Sequence, residues 1–229
     1  MSSFDFLTGR ATSEIIPAPE LNTQIHQDIL VDLICLREEA AHAGFDLSIT
    51  SAYRSFERQL AIFNAKARGD KAILDEKGQT LNSNYLTDEE KLFAILRWSA
   101  IPGSSRHHWG TDLDVYDKKA IPSDYRLQLI PQEFESGGPF SPLHNWLDER
   151  MKESSFPFFR PYSEDRDGVS PERWHLSHRL ACTFDKEYTL AIFQNNIEEA
   201  DIEFKNLLLE KSSELFLRFV KNTTKPPWH

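Results

Sequence analysis

Cysteine is nearly missing from this 229-residue chain, which has two, Cys35 and Cys182. A disulfide-stapled scaffold is thereby excluded. Both lie in apolar stretches (VDLICLREE and RLACTFD) and read as buried free thiols acting as small hydrophobes, with a single bridge between them left open. Basic residues are also in deficit: 26 Lys and Arg stand against 36 Asp and Glu, a net charge of −10 and a pI near 5.3. A nucleic-acid or anionic-membrane partner would meet a repelling surface. No apolar run is long enough to cross a bilayer. The opening MSSFDFLTGRATSEIIPAPE has no basic region followed by an apolar stretch, so it does not read as a signal peptide and the expected compartment is the cytoplasm, with export by another route left open. Internal repeats and low-complexity tracts are absent. What is present is a hydrophobic fraction of 40%, with 16 Phe and 5 Trp, which excludes disorder and supports a sizeable core.

The patterning alternates between helix and strand. Residues 21–43 carry Ile25, Ile29, Leu33 and Ala40 at near-fourfold spacing with Gly44 as a cap, predicting a helix. Phe45–Thr50 alternates as a half-buried strand does. Ser55 caps a second predicted helix running to Arg68-Gly69. The polar stretch from Asp75 to Asn84 reads as a loop, and Thr87 with Glu90 forms a capping-box signature for a helix ending near Trp98. Thr111–Tyr116 predicts a strand with Leu113 and Val115 on one face and Asp112, Asp114 and Tyr116 on the other. An irregular segment at Pro122–Pro142 precedes a short helix over Leu143–Met151, and Trp174-His175-Leu176 predicts another strand. Phe204, Leu208, Leu215 and Phe219 form an apolar helical stripe near the carboxyl terminus. The expected fold class is α+β: a small antiparallel sheet flanked by helices, with residues 1–180 as the catalytic domain and 181–229 as a helical extension packed on it.

Two stretches have the make-up of a metal site. In Ser105-Arg106-His107-His108-Trp109-Gly110-Thr111-Asp112-Leu113-Asp114, glycine lets the backbone turn so that an imidazole before it and a carboxylate after it converge. In Pro171-Glu172-Arg173-Trp174-His175, residues three apart would face opposite ways along a strand. Glu172 must therefore sit in the preceding turn to share a centre with His175. Two imidazoles and one carboxylate leave a fourth tetrahedral position open, the pattern of a catalytic zinc. Such an ion brings the pKa of bound water to about 7, and Glu172 is placed to act as general base. Taken singly, each residue has an ordinary reading: His107-His108 as a solvated loop pair, Asp114 as a strand-surface residue, Glu172 as a turn residue, Trp174 as core. It is the combination, at these spacings, that points to metal chemistry.

These motifs resemble the VanY-type zinc D-Ala-D-Ala carboxypeptidase family, part of a superfamily that includes murein endopeptidases and the hedgehog domain. SRHHWGTDLD follows the family's S-x-H-x-x-G-x-A-x-D, ERWH follows E-x-W-H, and Ser51 to Gln59 (SAYRSFERQ) is similar to S-x-Y-R-S-x-x-x-Q. The likeness runs from about residue 45 to residue 178. It implies one zinc ion bound by His107, Asp114 and His175, with Glu172 as base and then acid. Arg54 would stabilise the oxyanion, Ser105 and Gln59 would hold substrate, and Trp174 would wall the pocket. The rival reading of Arg54 is a surface ion pair with Glu57. One departure stands out: Asp112 replaces the family's small residue, as a possible hydrogen-bond partner of a ligand imidazole or a change in the charge of the site.

The resemblance implies removal of the terminal D-Ala from peptidoglycan-type peptides. A peptidoglycan endopeptidase and a zinc-containing binding module without hydrolysis are the alternatives, and the presence of Glu172 with Arg54 favours hydrolysis over the module.

Overall fold

The computed structural model describes residues 3–226. A short helix α1 (Ser3–Leu7) leads into a two-stranded antiparallel hairpin, β1 (Ile15–Ala18) with β2 (Thr23–His26). Helix α2 spans Leu30–His42. The helix expected over 21–43 is therefore a strand, a 3₁₀ turn and a helix in succession. Ile25, Ile29, Leu33 and Ala40 are all fully buried, so the apolar spacing marked the inward face correctly while the backbone changed conformation beneath it.

Strand β3 (Leu47–Ser51) is followed by α3 (Phe56–Arg68), capped by Ser55 accepting from the Arg58 amide and closed by Gly69 in the left-handed region. Thr87 and Glu90 complete their capping box at the start of α4 (Asp88–Leu96). Next come β4 (Asp112–Asp117), a four-residue helix α5 (Pro131–Phe134) inside the irregular segment, and α6 (Ser141–Arg150). The short strand β5 (Phe158–Phe159) and β6 (His175–His178) complete a four-stranded antiparallel sheet of order β3-β4-β6-β5. The α+β class expected from the patterning is the one observed.

Alternation along β4 divides the sheet. Leu113 and Val115 join Leu176, Leu33, Leu36, Leu143 and Leu147 in a core cluster between the sheet, α2 and α6. The opposite face carries Asp112 and Asp114, both buried. After residue 180 the chain is helical, but as short pieces: α7 (Ala181–Glu187), α8 (Leu190–Glu199), α9 (Lys205–Glu210), α10 (Ser212–Leu215) and a π-turn over Phe216–Val220. Phe204 itself adopts φ 58° and so begins a new helix. Leu208, Leu215 and Phe219 of the expected stripe enter one apolar cluster with Phe63 of α3 and Leu92, Ile95 and Leu96 of α4.

Both cysteines are free, and neither is buried: Cys35 is exposed and Cys182 half-buried. Cys35 lies two residues from the fully buried Leu33, about 200° around the α2 axis, so the helix turns it outward. No helix among the described residues is long and apolar enough to cross a membrane.

Candidate metal centre and active site

The polar face of the sheet builds the site. Asp114 on β4 and His175 at the start of β6 are direct cross-strand partners. His107 comes from the 3₁₀ turn Arg106–Trp109 just before β4. Gly110 ends that turn at φ 66°, and a Cβ there would lie 2.7 Å from the His26 amide nitrogen, so the turn needs glycine. The three residues expected as ligands converge: one donor atom from each of His107, Asp114 and His175 lies within 4.8 Å of the other two.

The hydrogen bonds behind the two rings determine which nitrogens face inward. His107 Nδ1 lies 2.9 Å from the Ala52 carbonyl, which can only accept, so Nδ1 carries the proton and Nε2 turns to Asp114 Oδ2 at 3.4 Å. His175 Nε2 donates to Asp112 Oδ1 at 2.9 Å, leaving Nδ1 at 3.6 Å from Asp114 Oδ1 and 3.2 Å from Glu172 Oε2. Carboxylate and carbonyl partners of this kind orient metal-binding imidazoles.

Asp114 Oδ1 is buried and has no hydrogen-bond partner among the described residues. Burial works against the charge of this carboxyl, but His107, His175 and Arg54 hold it down at about 2. An ionised carboxylate set between two imidazole nitrogens, with one oxygen unsatisfied, is the environment of a cation. The two-nitrogen, one-carboxylate set fits zinc.

Asp112, the departure from the family pattern, is fully buried. Besides His175 it accepts from Arg106 Nε at 2.8 Å and from the Thr111 hydroxyl at 2.9 Å. Arg106 also donates to the Ser177 hydroxyl at 2.6 Å. Burial would raise the Asp112 pKa, but Arg106 and the His175 hydrogen bond keep it well below the usual carboxylate range.

Glu172 lies in the turn before β6, as its geometry requires, with its backbone amide donating to the Tyr162 carbonyl at 2.9 Å. Arg54 follows β3 after an irregularity in register between Ile49 and Ser51, and its amide donates to the His107 carbonyl at 3.1 Å. Its guanidinium donates to Gln59 Oε1 at 2.9 Å and to Ser51 Oγ at 2.8 Å, in place of the Glu57 ion pair considered as the rival reading. These neutral partners hold the group without cancelling its charge.

Gln59 is fully buried, with its amide nitrogen donating to the Ala100 carbonyl at 2.7 Å. Both ends of its side chain are thus engaged within the protein, and it buttresses Arg54. Ser105 and Trp174 line a cleft of about 280 Å³ that also contains Arg54, Lys66, Tyr162 and Glu172. Trp174 stacks on Trp98 with ring centres 6.2 Å apart.

Two neighbouring histidines, His108 and His178, have other partners. His108 donates from Nδ1 to the Arg54 carbonyl and accepts the Gly103 amide at Nε2; burial pushes its pKa down to about 3, so it is neutral. His178 is committed to Asp32 at 2.8 Å. Tyr162 and Lys66 belong to the cleft but to no sequence motif. Tyr162 sets its ring edge-on to His175 at 5.1 Å.

Comparison with known proteins identifies the family and the fold. Residues 22–180 match the family model of VanY, D-alanyl-D-alanine carboxypeptidase. An uncharacterised protein of Haemophilus influenzae is 37% identical over 100 residues, covering 42% of this chain and 68% of the relative. The fold resembles a vancomycin-resistance D,D-pentapeptidase VanY variant in complex with Zn(II): TM-score 0.51, 23% identity, 76% of this chain and 82% of that one. VanYB in complex with D-alanine-D-alanine is similar at TM-score 0.51 and 22% identity, over 80% and 88% of the two chains. With the family model spanning well over half its length, this chain belongs to the VanY D-alanyl-D-alanine carboxypeptidase family.

Proposed function

We propose that this protein is a zinc-dependent carboxypeptidase that hydrolyses the terminal D-Ala peptide bond of peptidoglycan-type peptides. One observation carries the reading: His107 Nε2, His175 Nδ1 and the Asp114 carboxylate face one another in a cleft that also holds Glu172 and Arg54. When bound by these three residues, zinc supplies a Lewis acid that makes water available as a nucleophile near neutral pH.

The remaining steps fall to the chain's own groups. Glu172 accepts the proton of the attacking water and delivers it to the departing amine of D-alanine. Arg54, held by Ser51 and Gln59, presents N–H donors and a permanent charge to the carbonyl oxygen as it becomes negative. Ser105 contacts the peptide and Trp174 closes one side of the pocket, while Gln59 acts through Arg54. Asp112 holds His175 in the tautomer that turns Nδ1 inward, and Arg106 balances its charge. Glu172 and Arg54 together favour hydrolysis over a binding module, for which neither group is needed. The same reading divides the chain at residue 180, supported by the end of the family match there and by the packing of the later helices on α3 and α4.

The test is release of D-alanine from muramyl pentapeptide and tetrapeptide substrates, with and without chelator. Metal-dependent release from either supports the reading. Peptide binding without release from both would make the protein a binding module.

A further inference from the structure

Lys66 lies seven residues beyond Gln59 on α3, two turns along the same face, and its side chain reaches the cleft that contains Glu172 and Arg54. Its ammonium donates to the Ser99 hydroxyl at 2.6 Å. Among the described residues no carboxylate forms an ion pair with it. The walls beside it include Ile62, Leu74, Trp98 and Leu129, so the charge is set against apolar surface. A lysine so placed loses hydration without gaining an anion. Burial pulls its pKa down to about 8, against which the field of Glu172 works, so the ammonium is still present at neutral pH.

Two further cations line the cleft: Arg54, whose donors are already directed by Ser51 and Gln59, and Arg106, which is ion-paired with Asp112. Glu172 stands beside His175. Lys66 is thus the cation left for a separate anionic group. A peptide ending in D-Ala carries such a group next to its scissile bond: the terminal carboxylate. At the corresponding place an internal peptide bond offers only a neutral amide.

Resting on the carboxypeptidase reading above, we infer that Lys66, with Ser99 alongside, binds the terminal carboxylate of the substrate and thereby selects free peptide ends over internal bonds. Lys66 is a specificity-determining residue that leaves the hydrolytic groups untouched.

The test uses the full-length, zinc-loaded chain carrying Glu172→Gln, so that binding is read without turnover. Calorimetry compares an acyl-D-Ala-D-Ala peptide with the same peptide ending in a carboxamide. The acid should bind about 10- to 100-fold more tightly, the range for a charge-assisted hydrogen bond. Adding Lys66→Met should abolish that preference by weakening the acid alone, and Lys66→Arg should restore part of it. Equal binding of acid and amide with Lys66 present, or a preference that survives Lys66→Met, would overturn the inference. A Lys66-dependent preference in a protein whose wild type releases no D-alanine would sustain the inference and count against hydrolysis alone. Failure of both peptides to bind would overturn both.

Discussion

Asp112 and His175 meet diagonally across the sheet, the carboxylate accepting the imidazole Nε2–H at 2.9 Å while Arg106 holds the same oxygen from behind at 2.8 Å. A buried carboxylate in direct contact with an imidazole fixes its tautomer and increases its basicity. Asp112→Asn keeps the shape of the side chain and removes the charge. Zinc affinity should fall by about 10- to 100-fold, as read by competition with a chromophoric chelator, and retained affinity would assign Asp112 to the balancing of Arg106 alone.

Glu172 offers a cleaner separation of binding from chemistry. Glu172→Ala should retain stoichiometric zinc and lose about 10²- to 10⁴-fold in turnover, because the base and acid roles vanish together. Metal analysis and D-alanine release on the same preparation check both halves. Unchanged turnover would remove Glu172 from the mechanism.

Arg54→Met should lower kcat by about 10²- to 10³-fold with a smaller effect on KM, since its donors serve charge that develops only in the transition state. Steady-state kinetics separate the two. A change confined to KM would make Arg54 a ground-state anchor.

The pH dependence of metal binding follows from His175. In the metal-free chain burial opposes its charge, but hydrogen bonds to Asp112 and Glu172 and the fields of Asp112 and Asp114 raise its pKa from 6.5 to about 10. A raised histidine pKa stabilises the fold below 6.5, and that contribution disappears as pH rises through about 10. The metal-free protein should therefore melt at lower temperature at about pH 9 than at about pH 7 as this contribution fades. Zinc must displace the Nδ1 proton, so its apparent affinity should rise about tenfold per pH unit across that interval. Chelator competition and thermal melts at matched pH values measure the two opposite trends.

Gly110 ties the fold to the site. Gly110→Ala places a methyl group 2.7 Å from both the His26 amide nitrogen and the Ile15 Cδ1, on a backbone at φ 66°. The cost should exceed about 1 kcal/mol, and a displaced 3₁₀ turn should weaken zinc binding through His107. Denaturant melts and zinc titration of the variant report each effect.

Much of the site is legible in the sequence because its parts are local. His107, Gly110, Asp112 and Asp114 sit on one turn and one strand, where alternation alone puts the two carboxylates on a common face. Glu172 and His175 are likewise separated by a single turn. The partners of Asp112 are less legible, since Arg106 and His175 reach it through a turn and across a strand register that composition does not encode. Lys66 and Tyr162 carry no motif, and only tertiary packing brings them to the cleft. The misreading of residues 21–43 has a plain cause: Ile25, Ile29 and Leu33 point inward from a strand, a 3₁₀ turn and a helix, and together mimic one helical stripe. Cys35 shows the reverse, an apolar neighbourhood in sequence but the solvent side of α2.

Anomalous diffraction at the zinc edge, on crystals of the zinc-loaded protein, addresses the centre itself. The expected result is one strong peak about 2.0–2.2 Å from His107 Nε2, His175 Nδ1 and an Asp114 carboxylate oxygen. A map with no peak between these atoms, or with its only protein-bound zinc at other side chains, would contradict the assignment.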